Sequence, residues 1–286
     1  MKGLYNTTLE CEVTRNMDKS TTYLSQTHYA EEILCTYNFW NATPRLTLMQ
    51  PNTRLNKGDC DKHPALDLHR RYRDIVSSLG YLVKMTRPDL AWAHPELSMY
   101  VQFLGKNDMF VAEHGLSYLR GTWNQTIRYS RDSHENLDVL WGWVDVDWAG
   151  DTGTRRSHMG HILMMNGCPI SWKSRRQDNV SLSTFKAEFV AAVQTGQEAI
   201  YLRETLPDFR YSQTKATLLY EDNFACIAMS ENPARRKFSR HIDIKQYFVR
   251  ELVLAGVLKL VSLRTHKIMP DALTKNLLSP ASVRHR

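Results

Sequence analysis

The stretch WGWVDVDWAGD, Trp141 to Asp151, decides the reading of this chain. It sits in a β-like run from Val139 to Trp148 and breaks at Gly150, a turn signal. Asp145 falls in the middle of that strand among apolar neighbours, where a solvated surface charge is an odd choice. Asp147 lies two residues on and shares its face, so spacing alone leaves open which of the two carries chemistry.

Working outward, His158 to Met165 and Pro169 to Trp172 read as two more strands, the latter with a basic tail. Gly153 and Asn166-Gly167 supply turns, which together predict a three-stranded antiparallel meander. Ser183 to Leu206 is a long amphipathic helix closed by Pro207. A strand at Ala216 to Tyr220, helices at Asn223 to Ser230 and Ile242 to Ala255, a strand at Val257 to Leu263 and a helix at Asp271 to Leu277 follow. That order predicts an α/β domain, a mixed sheet with packed helices.

Upstream, the polar, turn-rich DSHENLD at 132–138 reads as a linker, dividing a unit at 1–131 from one at 139–286. Ile75, Leu79, Leu82 and Val83 recur at helical spacing, as do Leu116 and Leu119, so the first unit is expected to be smaller and mostly helical. Thr43 to His69 has no clean period and reads as a long connection.

The 286 residues are 42% hydrophobic and 23% charged, which excludes disorder and fibre. Without a secretory N-terminal pattern or a long apolar run, no membrane association is expected. Five scattered cysteines without CxxC spacing disfavour a disulfide framework and point to an intracellular protein. Net charge is +7, with 16 Lys and Arg against 15 Asp and Glu up to residue 136 and 21 against 15 beyond it. A basic second half is the footprint of a polyanion such as nucleic acid, although a solvated basic surface has the same arithmetic.

Three more acids in that half stand out: Glu188 in FKAEFVAA, Asp222 in LLYEDN and Asp271 in MPDALTK. Taken singly, Asp222 and Asp271 suit cap positions and Glu188 a helix surface. Together with Asp145 they would repel one another unless divalent cations neutralise them, and carboxylate oxygens suit magnesium. Such a layout fits a two-metal phosphodiester site.

The strings VDVDWAGD (144–151), GCPISWKSRRQ (167–177), LSTFKAEFVAA (182–192), YEDNFACIAM (220–229), SRHIDIKQYFVRE (239–251) and PDALTK (270–275) resemble the ribonuclease H domain of Ty1/copia-type retrotransposon polyproteins, in the family's order and spacing. YLSQTHYAEEIL (23–34), RYRDIVSSLGYLVKMTRPDLAWA (71–93) and HGLSYLRGT (114–122) are similar to the tail of that polyprotein's reverse transcriptase. No Tyr-x-Asp-Asp box is present, so the first unit would be a thumb and connection remnant without a polymerase site.

The resemblance implies a ribonuclease H-like fold and magnesium-dependent cleavage of the RNA strand of RNA/DNA hybrids, with other parts of a polyprotein as further partners. It makes Asp145, Glu188, Asp222 and Asp271 the catalytic, metal-holding set for two Mg2+ ions, with Mn2+ able to stand in, and leaves Asp147 a secondary acid. Lys173, Arg175 and Arg176, and Arg235, Arg236, Lys237 and Arg240, are the candidates for nucleic-acid contact. His266 is placed near Asp271, where related enzymes use a histidine in product release. The implied place is the cytoplasm, a virus-like particle or the nucleus. Lys186 stands where the family has the glutamate of a capping box, and Phe185 where it has a small polar residue. These departures support the alternative, a degenerate, inactive retroelement fragment that at most binds nucleic acid.

Overall fold

The computed structural model describes residues 6–8, 10–17, 20–50, 55, 65–130, 138–151, 153–231, 240–263 and 271–275. They divide into two compact units, Met1–Ser130 with Lys275–Arg286, and Arg131–Thr274. Most of the expected linker, 132–138, lies outside the described residues.

In the first unit, β1 (Asn6–Thr8), β2 (Cys11–Asn16), β3 (Thr21–Ser25) and β4 (Thr126–Ser130) form an antiparallel sheet in that order. Helices α1 (Thr27–Thr36), α2 (Leu66–Met85), α3 (Ala93–Ser98) and α4 (Lys106–Thr122) hold the larger share of its residues, in keeping with the helical spacing. Ile75, Leu79 and Leu82 of α2 and Leu116 and Leu119 of α4 meet in one core with Tyr72 and Leu34. The sheet was not anticipated: its strands are short and largely polar, and β4, the partner of β3, lies beyond all four helices.

The second unit begins with the expected meander, β5 (Trp141–Asp147), β6 (His158–Met165) and β7 (Cys168–Arg176), whose last strand absorbs the basic tail. α5 (Thr184–Thr205), β8 (Thr217–Glu221), α6 (Phe224–Glu231), α7 (Arg240–Leu254), β9 (Leu258–Ser262) and α8 (Asp271–Thr274) follow. Sheet order is β7-β6-β5-β8-β9, antiparallel from β5 to β7 and parallel from β5 through β8 to β9. This mixed sheet with packed helices is a ribonuclease H-like α/β architecture. α5 lays Ala187 and Ala191 on Val144, Val146 and Met159, while Phe189, Ala192 and Ala199 meet Leu219 and Leu260. Ser183 caps it, its hydroxyl accepting the backbone N–H of Lys186 at 3.3 Å.

The string TRPDL in the first unit builds a buried ionic knot. Arg87 donates twice to Asp89, at 2.8 and 2.7 Å, and to the hydroxyl and carbonyl of Thr122 at the end of α4. Tyr118 donates to the same carboxylate at 2.9 Å. Burial alone would raise the Asp89 pKa, yet the Arg87 charge and these hydrogen bonds hold it below its ordinary value. Removing one member strands the other's charge, so Arg87→Leu is expected to lower the unfolding free energy of this unit by about 3–5 kcal/mol in urea titrations. A loss under about 1 kcal/mol would show the pair to be solvated.

Candidate functional site

Parallel pairing of β5 with β8, Trp143 opposite Tyr220, sets the carboxyl ends of two strands side by side. β5 carries Asp145 there, and β8 ends in Glu221 with Asp222 next. Along TLLYE, Thr217, Leu219 and Glu221 alternate onto the buried face. Glu188 comes from the buried side of α5, between Ala187 and Phe189. One carboxylate oxygen each from Glu188, Glu221 and Asp222 lies within 4.8 Å of the others. Asp145 is 2% exposed and accepts a hydrogen bond from Thr274 Oγ1 of α8. Opposite it on β6 is Gly160, where a Cβ would come within 2.7 Å of Leu273 Cβ. Only glycine lets α8 approach this closely, and Ser174 of β7 ties it down by donating to the Leu273 carbonyl at 2.6 Å.

Burial raises the Glu188 pKa, and the charges of Glu221, Asp145 and Asp222 add to the effect. Glu221 is raised for the same first reason, opposed by the Asn223 N–H that its Oε1 accepts at 3.1 Å. Neither Glu188 Oε2 nor Glu221 Oε2 finds a hydrogen-bond donor among the described residues, and the two carboxyls face each other closely enough that their contact also raises Glu188. Buried carboxylate oxygens so close together are hard ligands in want of positive charge, and the donor set fits a divalent cation.

Asp145, Glu188 and Asp222 therefore fall together, joined by Glu221, which the sequence analysis passed over. Its signal was the alternation of TLLYE, which continues the apolar face onto Glu221. Asp271 is the first residue of α8, and its side chain lies outside the described residues. Asp147, at the end of β5, is partly buried. Among the basic candidates, Lys173 is exposed, Arg175 donates to both oxygens of Asp178 at 2.6 and 2.8 Å, and Arg176 pairs with Asp151. Arg235, Arg236, Lys237 and His266 lie outside the described residues, as does the side chain of Arg240, which opens α7. His158 and His161 are buried strand residues. His158 Nε2 is 2.8 Å from Ser174 Oγ, and burial holds the His161 pKa down to about 4.

The retrovirus-related Pol polyprotein from transposon TNT 1-94 of Nicotiana tabacum is 32% identical over 277 residues, 93% of this chain. The chain belongs to the Pol polyproteins of Ty1/copia-type transposons. A second relative, the Pol polyprotein from transposon RE1 of Arabidopsis thaliana, is 32% identical over 255 residues, 89% of the chain. This Pol segment spans only 20% and 17% of those relatives' lengths. No family model matches the chain. LC11-RNase H1, solved in complex with an RNA/DNA hybrid, is similar to 50% of the segment over 98% of its own chain, at 12% identity and a TM-score of 0.38. That likeness is weak, and strand order and direction carry the fold of the Pol segment's second unit. No helix among the described residues is long and apolar enough to cross a membrane.

The raised carboxyls give this unit of the Pol segment a pH signature. Without a cation, the folded state keeps protons that the unfolded chain releases above about pH 4.5, so stability is lost as pH rises through the raised values. In EDTA the melting temperature of the second unit is expected to fall between about pH 7 and about pH 9, where His161 is neutral folded or unfolded. Added Mg2+ should flatten that fall. Differential scanning calorimetry at both pH values measures it, and a pH-independent melting temperature in EDTA would contradict the buried cluster.

Proposed function

We propose that the second unit is a magnesium-dependent ribonuclease that cuts the RNA strand of RNA/DNA hybrids within a retrotransposon polyprotein. The observation that carries this reading is the convergence of Asp145, Glu188 and Asp222 at the carboxyl ends of β5 and β8. Asp271 completes the set on the family's pattern, at the head of the short helix whose Thr274 hydrogen-bonds to Asp145. Two Mg2+ ions, when bound, supply an activated water and neutralise charge on the departing 3′ oxygen. Asp145 would be shared between the ions, with Mn2+ as the substitute.

The protein's own part is to hold these carboxylates rigid and to align a phosphodiester across them. Lys173, exposed on β7, is suited to grip a phosphate, while Arg176, held by Asp151, is suited to orient the loop after β5. Phosphate is common to RNA and DNA, so selection falls to the 2′-hydroxyl and to hybrid groove shape. The first unit, 1–131, is read as the thumb and connection remnant, gripping hybrid without extending primers. A second reading, binding without cutting, draws on Lys186, whose charge in the first turn of α5 opposes the helix dipole beside Glu188.

With Mg2+ the purified chain should cut the RNA of a labelled hybrid, spare duplex DNA and stop in EDTA. Asp145→Asn should slow cutting by about 1000-fold or more, the loss of a charge shared by both ions, and Asp147→Asn by much less. Cutting that persists in EDTA sinks the two-metal reading. Hybrid binding without cutting by the unaltered chain would establish the second one.

A further inference from the structure

Glu221 is the acid in this cluster that the family pattern leaves without a role. It is fully buried at 0% exposure, yet it is the last residue of β8 and not part of an ion pair with any described Lys or Arg. One oxygen accepts the Asn223 N–H at 3.1 Å, which orients the carboxylate, and the other is buried with no hydrogen-bond donor among the described residues. The Glu221 carboxylate belongs to a group whose ligand atoms, one each from Glu188, Glu221 and Asp222, all fall within 4.8 Å of one another. The charged groups facing Glu221 are Asp222, Asp145 and Glu188, all acids. A buried carboxylate beside other acids is strongly unfavourable, and a cation held between Glu188, Glu221 and Asp222 would offset their repulsion by its own attraction for each.

We propose that Glu221 is a further protein ligand of one divalent cation, sharing it with Glu188 and Asp222. The inference rests on the second unit being a cation site, but not on its cutting RNA. The separation suits a single ion: opposite ligands of an octahedral Mg2+ stand about 4.2 Å apart and those of Ca2+ about 5 Å. Mg2+ is usually held by one or two carboxylates, so a third favours ions that tolerate more protein oxygens, Mn2+ and Ca2+. Glu221 thus sets both the strength and the ion preference of that position.

The test uses the full chain without nucleic acid, titrated with Mn2+ and followed by electron paramagnetic resonance. Glu221→Gln keeps the size and the Asn223 contact and removes the charge. It is expected to weaken one Mn2+ site by about tenfold or more. Glu221→Asp, shorter by one methylene, should weaken Mn2+ binding while keeping the charge, and serves if the glutamine variant folds poorly by circular dichroism. Unchanged Mn2+ affinity in the folded variants overturns the proposal. Hybrid cleavage separates the two readings. An unaltered chain that shows Glu221-dependent Mn2+ binding but cuts no hybrid keeps this inference and loses the nuclease, whereas cutting with Glu221-independent binding does the reverse.

Discussion

Asp145, Glu188 and Glu221 each expose 5% or less of their surface, and the oxygens of Glu188, Glu221 and Asp222 crowd within 4.8 Å. At that spacing, with an effective dielectric constant of about 20, each ionised pair repels by about 3–4 kcal/mol, a large fraction of what holds a domain together. The fold therefore tolerates the cluster only by protonating it or by lending it to a cation. Much of the second unit's construction follows from having to hold these side chains in place against that repulsion.

Three devices do so, and each comes from a different part of the chain. Parallel pairing of β5 with β8 brings Asp145 and Glu221 to adjoining strand ends, a juxtaposition that an antiparallel pair would not give. Ser183 pins the first turn of α5, and Ala187 and Ala191 bed that turn on Val144 and Met159, so Glu188 is carried on a helix that cannot pivot freely. Gly160 leaves room for α8, whose Thr274 satisfies one oxygen of Asp145. Phe185, set against Phe189 with ring centroids 4.9 Å apart, adds apolar packing to the same turn of α5.

The second unit was legible because its signals are local and strong. Asp145 in an apolar strand, the 22-residue helix and the turn glycines each announce themselves within a few residues. The sheet of the first unit was not legible, because β2 and β3 carry Glu12, Thr14, Arg15 and Thr22 where a buried strand would show apolar alternation, and β4 is remote in sequence. Glu221 escaped for a different reason. An acid next to Asp222 in YEDN reads as one turn with two surface charges, and only the buried alternation of β8 tells that Glu221 points inward. Family pattern and physical pattern diverge at that residue, and the physical one is the more informative.

The basic residues show how little a charge count says about where an anion binds. The second half of the chain carries most of the +7, yet Arg175 is already held by Asp178 and Arg176 by Asp151. The Arg175 pair is exposed, and such pairs contribute about 0–1 kcal/mol, so a substrate phosphate can displace Asp178 at small cost. The Arg176 pair is more enclosed, with side chains 17% and 24% exposed, and Asp151 also accepts the Thr154 hydroxyl and the Gly153 N–H. Breaking it would strand a well-anchored carboxylate, so Arg176 is better placed to orient the loop after β5 than to move onto a phosphate. Of the three basic residues on β7, Lys173 is therefore the one to which the proposed phosphate contact falls first, and Arg175 would join it only by giving up Asp178.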